Sequence, residues 1–133
     1  MSGAPPLEPD EVLLRRFPES QYQDDGLPPP QVIFNPNEKD IDGISLSRES
    51  VMTPADLGGQ GSAGKRYWVA RLRVAEMLEA GASLRPDMHP PGHVTVTNLP
   101  HSTRRSLPAR ELRERLRRVC IEVLGPFDGT VVR

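Results

Sequence analysis

Lys65-Arg66-Tyr67-Trp68-Val69-Ala70-Arg71-Leu72-Arg73-Val74-Ala75-Glu76-Met77-Leu78-Glu79-Ala80-Gly81 is the stretch on which the fold class turns. Read with period two, Trp68, Ala70, Leu72 and Val74 share one face and Arg71 and Arg73 the other, the pattern of a half-buried strand. Read with period 3.6, residues from Tyr67 to Ala80 form one helix closed by Gly81. The clean alternation with arginine outward favours a strand over 67–74 followed by a short helix from Ala75 to Ala80. Outward from there, His93 to Thr97 alternates again, with Val94 and Val96 on one side and His93, Thr95 and Thr97 on the other. The turn Pro90-Pro91-Gly92 introduces it.

The rest of the chain divides into an irregular acidic half and a more regular basic half. Residues 1–10 are small, polar and proline-rich and read as a disordered or loosely docked arm, leaving 11–133 as a single domain. Glu11 to Phe17 carries Val12, Leu13, Leu14 and Phe17 and reads as a short helix capped by Asp10 and stopped by Pro18. Pro28, Pro29 and Pro30 impose extended backbone. Val32-Ile33-Phe34 then reads as a short strand, and 43–48 as another, since Ile44 and Leu46 alternate with Ser45 and Ser47. Met52 to Asp56 reads as a turn and Gly58 to Gly64 as a flexible loop. Ser106 is a natural N-cap with Pro108 in the first turn, and Leu112, Leu116, Val119, Cys120 and Val123 recur at helical spacing. A helix over 107–124, ended by Gly125-Pro126, is the expectation.

Fifteen prolines and 11 glycines among 133 residues exclude a helical bundle or coiled coil. The expected fold is α+β. A small mixed sheet of about four short strands, near 32–34, 44–48, 67–74 and 93–97, is packed by the C-terminal helix through its Leu112–Val123 stripe. No apolar run approaches the length of a membrane span. The opening Ser2-Gly3-Ala4 and two prolines lack the charged-then-apolar order of a signal peptide, so the cytoplasm is the expected compartment. Cys120 is the sole cysteine, which excludes intramolecular disulfides and cysteine-based zinc frameworks.

Charge is unevenly placed. Residues 1–64 hold 11 acids against four bases, a balance of −7, and 65–133 hold 13 bases against seven acids, +6, for a net −1. The two halves can pair within one fold, or the basic half can face an external anion. Arg104, Arg105, Arg110, Arg113, Arg115, Arg117 and Arg118 crowd one segment, opposed locally only by Glu111 and Glu114. Arg104, Arg105, Arg110, Arg113, Arg117 and Arg118 are therefore the candidates for partner or phosphate contact. A helix face of this kind over 104–118 suits a nucleic-acid backbone, but aromatic residues for base stacking are scarce nearby.

Several motifs imitate known sites and lack a necessary part. Gly59-Gln60-Gly61-Ser62-Ala63-Gly64-Lys65 fits the G-x-x-x-x-G-K core of a phosphate loop. Arg66 then stands where Ser or Thr holds magnesium, and no buried strand precedes it. Asp40, Asp42, Gly43 and Glu49 have calcium-loop spacing without flanking helices, so an Asp-Gly turn is the reading. His89 and His93 are separated by two prolines and a glycine and cannot share a helix as zinc ligands. No cofactor and no metal is expected.

His93-Val94-Thr95-Val96 resembles one half of the H-x-T-x signature of the two-histidine phosphoesterases. In that family two such motifs, on symmetry-related strands, act as acid and base on a phosphodiester. His101-Ser102-Thr103 supplies a second H-x-T, closer in sequence than the opposing strand of that fold requires. If the chain is an enzyme, His93, Thr95 and His101 are the catalytic candidates. The rhythm Leu13-Leu14-Arg15-Arg16, Asp42-Gly43-Ile44-Ser45-Leu46, Trp68-Val69-Ala70-Arg71-Leu72 and Pro91-Gly92-His93 resembles that of small bacterial proteins of unknown function, and implies a bacterial, cytoplasmic accessory protein. The leading expectation is a non-catalytic protein that binds a protein partner. A nucleic-acid binder using the arginine helix and a small hydrolase or phosphoesterase centred on His93 are the alternatives.

Overall fold

The strand favoured for the deciding stretch is present, as β3 (Arg66–Arg73), and a helix α2 (Val74–Glu79) follows it directly. The structure, a computed structural model, describes residues 4–23 and 27–132. The fold is α+β with one antiparallel sheet, which the expected mixed sheet of four strands underestimates. Its other strands are β1 (Val12–Pro18), β2 (Ile44–Arg48), β4 (Leu84–Pro86), β5 (His93–Val96) and β6 (Cys120–Asp128), in the order β4-β5-β2-β1-β3-β6. Two further helices are α1 (Pro54–Gly59) and α3 (Leu107–Arg118).

The stretch read as a helix before Pro18 is β1, the strand between β2 and β3. Leu13 and Leu14 are adjacent apolar residues because the sheet is covered on both faces, which breaks the simple alternation of a half-buried strand. Leu13 and Phe17 enter the larger core with Ile44, Leu46, Ala70, Leu72, Val94 and Val96, whereas Leu14 joins Val69 and Leu57 in a smaller cluster on the opposite face. Residues 32–34 are not a strand but part of a 3-10 turn, Gln31–Phe34. The prolines before it offer no N–H to a ladder, and the chain closes Ile33 N–H onto Pro30 O and Asn35 N–H onto Val32 O instead.

The C-terminal helix is shorter than its spacing suggests. It ends at Arg118, and Cys120 and Val123 belong to β6, paired to β3 at Leu72 and Ala70. Val119, Ile121 and Val123 are β-branched, and the open edge of β3 supplies the ladder that helical continuation would forgo. Ala109, Leu112 and Leu116 are buried in the larger core. Thr53, placed in a turn from the sequence, caps α1 by accepting the Asp56 N–H. The glycines of 58–64 answer packing as well as looseness: a Cβ at Gly58 would meet the Phe127 ring, and one at Gly61 the Tyr67 ring.

In the N-terminal arm, Leu7 packs partly against the larger core, and Pro6 O accepts from Arg48 Nη2 at 2.8 Å. Arg48 is buried and holds Glu11 at 2.7 Å. Neither charge tolerates loss of the other, because both are largely withdrawn from water. Glu11→Leu is expected to lower unfolding free energy by about 3 kcal/mol. The double variant Glu11→Leu/Arg48→Met should recover most of that loss, as read by urea unfolding followed through the single tryptophan, Trp68.

Candidate functional site

The hairpin β4–β5 brings together residues distant enough in sequence to look unrelated. Pro86 pairs with Val94, and Asp87 N–H continues the ladder by donating to His93 O at 2.8 Å. The Asp87 carboxylate therefore faces the side chains at 93 and 95. His93 Nδ1 lies 2.7 Å from Oδ2, the Thr95 hydroxyl donates to the same oxygen at 2.6 Å, and Arg85 Nε donates to Oδ1 at 2.9 Å. Burial opposes ionisation of Asp87, but the hydrogen bonds from Thr95, His93 and Arg85 outweigh it and hold the carboxyl below its ordinary range. An ionised carboxylate only accepts, so Nδ1 is the donor, and in the neutral imidazole of His93 the lone pair then sits on Nε2.

Lys39, Asp42, Ser45, Arg85 and His89 line the cavity of about 560 Å³ that includes Asp87, His93 and Thr95. The arrangement offers a base at Nε2. It offers no activated nucleophile, since the Thr95 proton goes to Asp87 and no hydroxyl or thiol hydrogen-bonds Nε2 among the described residues. His101 lies elsewhere, on the 3-10 turn His101–Thr103, with its N–H on Asp40 O and its own carbonyl receiving Arg104 Nη1 at 2.9 Å. His93 and Thr95 are thus joined through Asp87, and His101 does not line their cavity. Among the described residues no three His, Cys, Asp or Glu side chains converge as metal ligands.

The arginine segment separates into two groups. Arg117 and Arg118 both reach Glu114, at 2.7 and 3.1 Å, and Arg115 donates to Ala80 O at 2.7 Å. Arg104, Arg105, Arg110 and Arg113 form no ion pair among the described residues. These four line a concavity of about 580 Å³ whose other wall is Asn35 and Pro36. Arg113 is only 5% exposed, on the same helix face as Ala109, Leu112 and Leu116, and its Nε and Nη1 have no acceptor among the described residues. Burial, with the charge of Arg110 added to it, presses its pKa below the ordinary arginine value, yet a guanidinium remains protonated.

The glycine-rich loop has its donors engaged inside the fold. Gly61 N–H goes to Gly58 O, Ser62 N–H to the Tyr67 hydroxyl, Ala63 N–H to Val131 O and Lys65 N–H to Ser62 O. A phosphate cradle needs such groups free. Cys120 is equally withdrawn from chemistry, its thiol pushed up to about 12 by burial.

Asp87, Arg85, Asn35 and Pro36 escaped the sequence reading. Treating 84–96 as a hairpin around the Pro90-Pro91-Gly92 turn would have set Asp87 beside His93. Nothing in the sequence signalled the Asn35–Pro36 wall, which depends on how the 3-10 turn meets α3. No helix among the described residues is long and apolar enough to cross a membrane.

Since its pKa is lowered in the folded state, Asp87 contributes stability above pH ~4 that is lost as pH falls through the lowered value. Asp87→Asn should flatten the acid limb of the stability curve below pH ~4 while also lowering stability at neutral pH, as measured by denaturant unfolding at acid and neutral pH. Compared with protein-family models, curated proteins and solved structures, the chain finds no match.

Proposed function

We propose that the chain is a non-catalytic, cytoplasmic accessory protein that binds an acidic partner at the concavity formed by Arg104, Arg105, Arg110 and Arg113. The carrying observation is the partition of the arginines. Those at 115, 117 and 118 are answered inside the molecule, while four that share one opening meet no carboxylate among the described residues. Unpaired like charges facing one concavity repel each other and attract an anion, which favours a complementary partner in both rate and register. The lining holds no aromatic ring on which a base would stack, which favours a protein partner over single-stranded nucleic acid.

A hydrolase or phosphoesterase centred on His93 is the second reading, and the Asp87–His93 hydrogen bond of 2.7 Å is what favours it. The same bond also staples β4 to β5, a sufficient reason for its presence. Arg85 and Thr95 contribute to that staple, which supports a non-catalytic reading of the cluster.

Retention on a heparin column, with elution by salt, tests the acidic-partner reading. Wild type should be retained at low salt despite its net charge, and Arg105→Glu/Arg110→Glu should lose affinity by about 10-fold or more. Arg118→Glu, whose native partner is Glu114, should change retention far less. Absence of retention, or equal loss in all variants, contradicts the reading. Ester or phosphodiester turnover that vanishes in His93→Asn and persists in Arg105→Glu/Arg110→Glu would favour the second reading.

A further inference from the structure

Resting on the acidic-partner reading, we propose that the arginine concavity is a pocket for one terminal phosphate monoester. Arg113 supplies the first half of the argument. Its place on the buried face of α3 suits an apolar residue, and a leucine or methionine would fill it without the penalty of a desolvated cation. The protein instead holds a guanidinium there whose Nε and Nη1 meet no acceptor among the described residues. A buried charge with no internal partner is destabilising unless something outside the chain completes it.

The opening supplies the second half. Arg104, Arg105 and Arg110 stand around the same concavity as Arg113, and Arg104 is steadied by the hydrogen bond from its Nη1 to His101 O. Among the described residues no acidic side chain lines it. A carboxylate carries one charge on two coplanar oxygens, which a single guanidinium fork already satisfies. Four guanidinium groups call for more charge and more acceptors. A phosphate monoester carries nearly two negative charges at pH 7 and three unsubstituted oxygens at the end of a stalk. That shape reaches into a concavity. A phosphodiester has one charge and is flanked by substituents on both sides, so it meets the rim more readily than the interior. The chemistry is shared by a phosphorylated side chain on a partner protein and by a small phosphorylated metabolite.

Thermal unfolding of the full chain, followed by Trp68 fluorescence at constant ionic strength, separates these cases. Phenyl phosphate should raise the Tm by several degrees once its concentration is about tenfold above its dissociation constant. Diphenyl phosphate and benzoate at the same concentration should leave Tm unchanged. Arg113→Met should unfold at the wild-type temperature or above it without ligand, and should lose the phenyl phosphate response. Arg110→Glu, at an exposed position, is the second loss-of-response variant should Arg113→Met fold poorly. Arg118→Glu should keep the response. A phosphoserine peptide that binds at least 10-fold more tightly than phenyl phosphate would identify a phosphorylated protein as the source, and equal affinity a small phosphate. The proposal is overturned if phenyl phosphate gives no shift, if Arg113→Met responds like wild type, or if the diester and monoester act alike. Heparin retention that depends on Arg105 and Arg110 without any monoester response removes this proposal and leaves the acidic-partner reading standing. Loss of both removes both.

Discussion

Seven consecutive residue pairs, from Val12–Arg73 to Pro18–Tyr67, join β1 to β3, and the remaining parts of the fold are arranged around that ladder. β1 has β2 on its other side, paired at Leu13 and Leu14. Yet this interior strand carries two successive arginines. Arg15 is satisfied by Ile33 O at 2.8 Å and Ser45 O at 2.9 Å, and Arg16 donates to Leu57 O at 3.2 Å and lies over the Tyr67 ring. Each arginine thereby ties down the segment that covers its own face. The 3-10 turn at Gln31–Phe34 is held on one side and α1 on the other. A strand at 32–34 would have placed its carbonyls in a ladder, whereas the turn leaves Ile33 O free for Arg15.

The same accounting explains why one cluster of cations faces outward. Acids of the N-terminal half are used at the sheet and its rim: Glu11 by Arg48, Glu19 by Arg66, and Glu49 by Arg71 through a two-point contact at 2.7 Å. Glu11 and Arg48 pair within the acidic half, whereas Glu19–Arg66 and Glu49–Arg71 join the two halves, both at β3. The α3 segment relies on Glu111 and Glu114, and these lie nearest Arg115, Arg117 and Arg118. Among the described residues, the preceding turn and the buried position 113 receive no acid from either source. A concavity lined by arginines without acid partners among the described residues follows from where those acids already are.

How far the sequence was legible depended on whether local pattern and tertiary demand agreed. β3 and β5 were readable because each presents one apolar side, with Trp68, Ala70 and Leu72 set against Arg71 and Arg73, or Val94 and Val96 set against His93 and Thr95. β1 was not, since coverage on both faces puts Leu13 next to Leu14 and imitates the apolar side of a helix. The end of α3 was obscured by coincidence: Val119, Cys120 and Val123 fit helical spacing, while their β-branched content and the open edge of β3 decide for a strand. The arginines of the concavity were visible in number and position. Their division into answered and unanswered groups was not, because it turns on Glu114 reaching Arg117 and Arg118 together and on Arg113 turning inward. Asp87 was hidden for a similar reason, as a strand of three residues ending in proline leaves little periodic signal.

Native-state hydrogen exchange resolved by residue tests the central role of the β1–β3 ladder most directly. Amides of Leu13–Phe17 and Val69–Leu72 should exchange slowest, only through global unfolding, with opening free energies at the top of the range for the molecule. Those of α3 and the β4–β5 hairpin should open at lower cost. Rapid exchange across residues 12–18, with the deepest protection instead in α3, would contradict an architecture built on that interior strand.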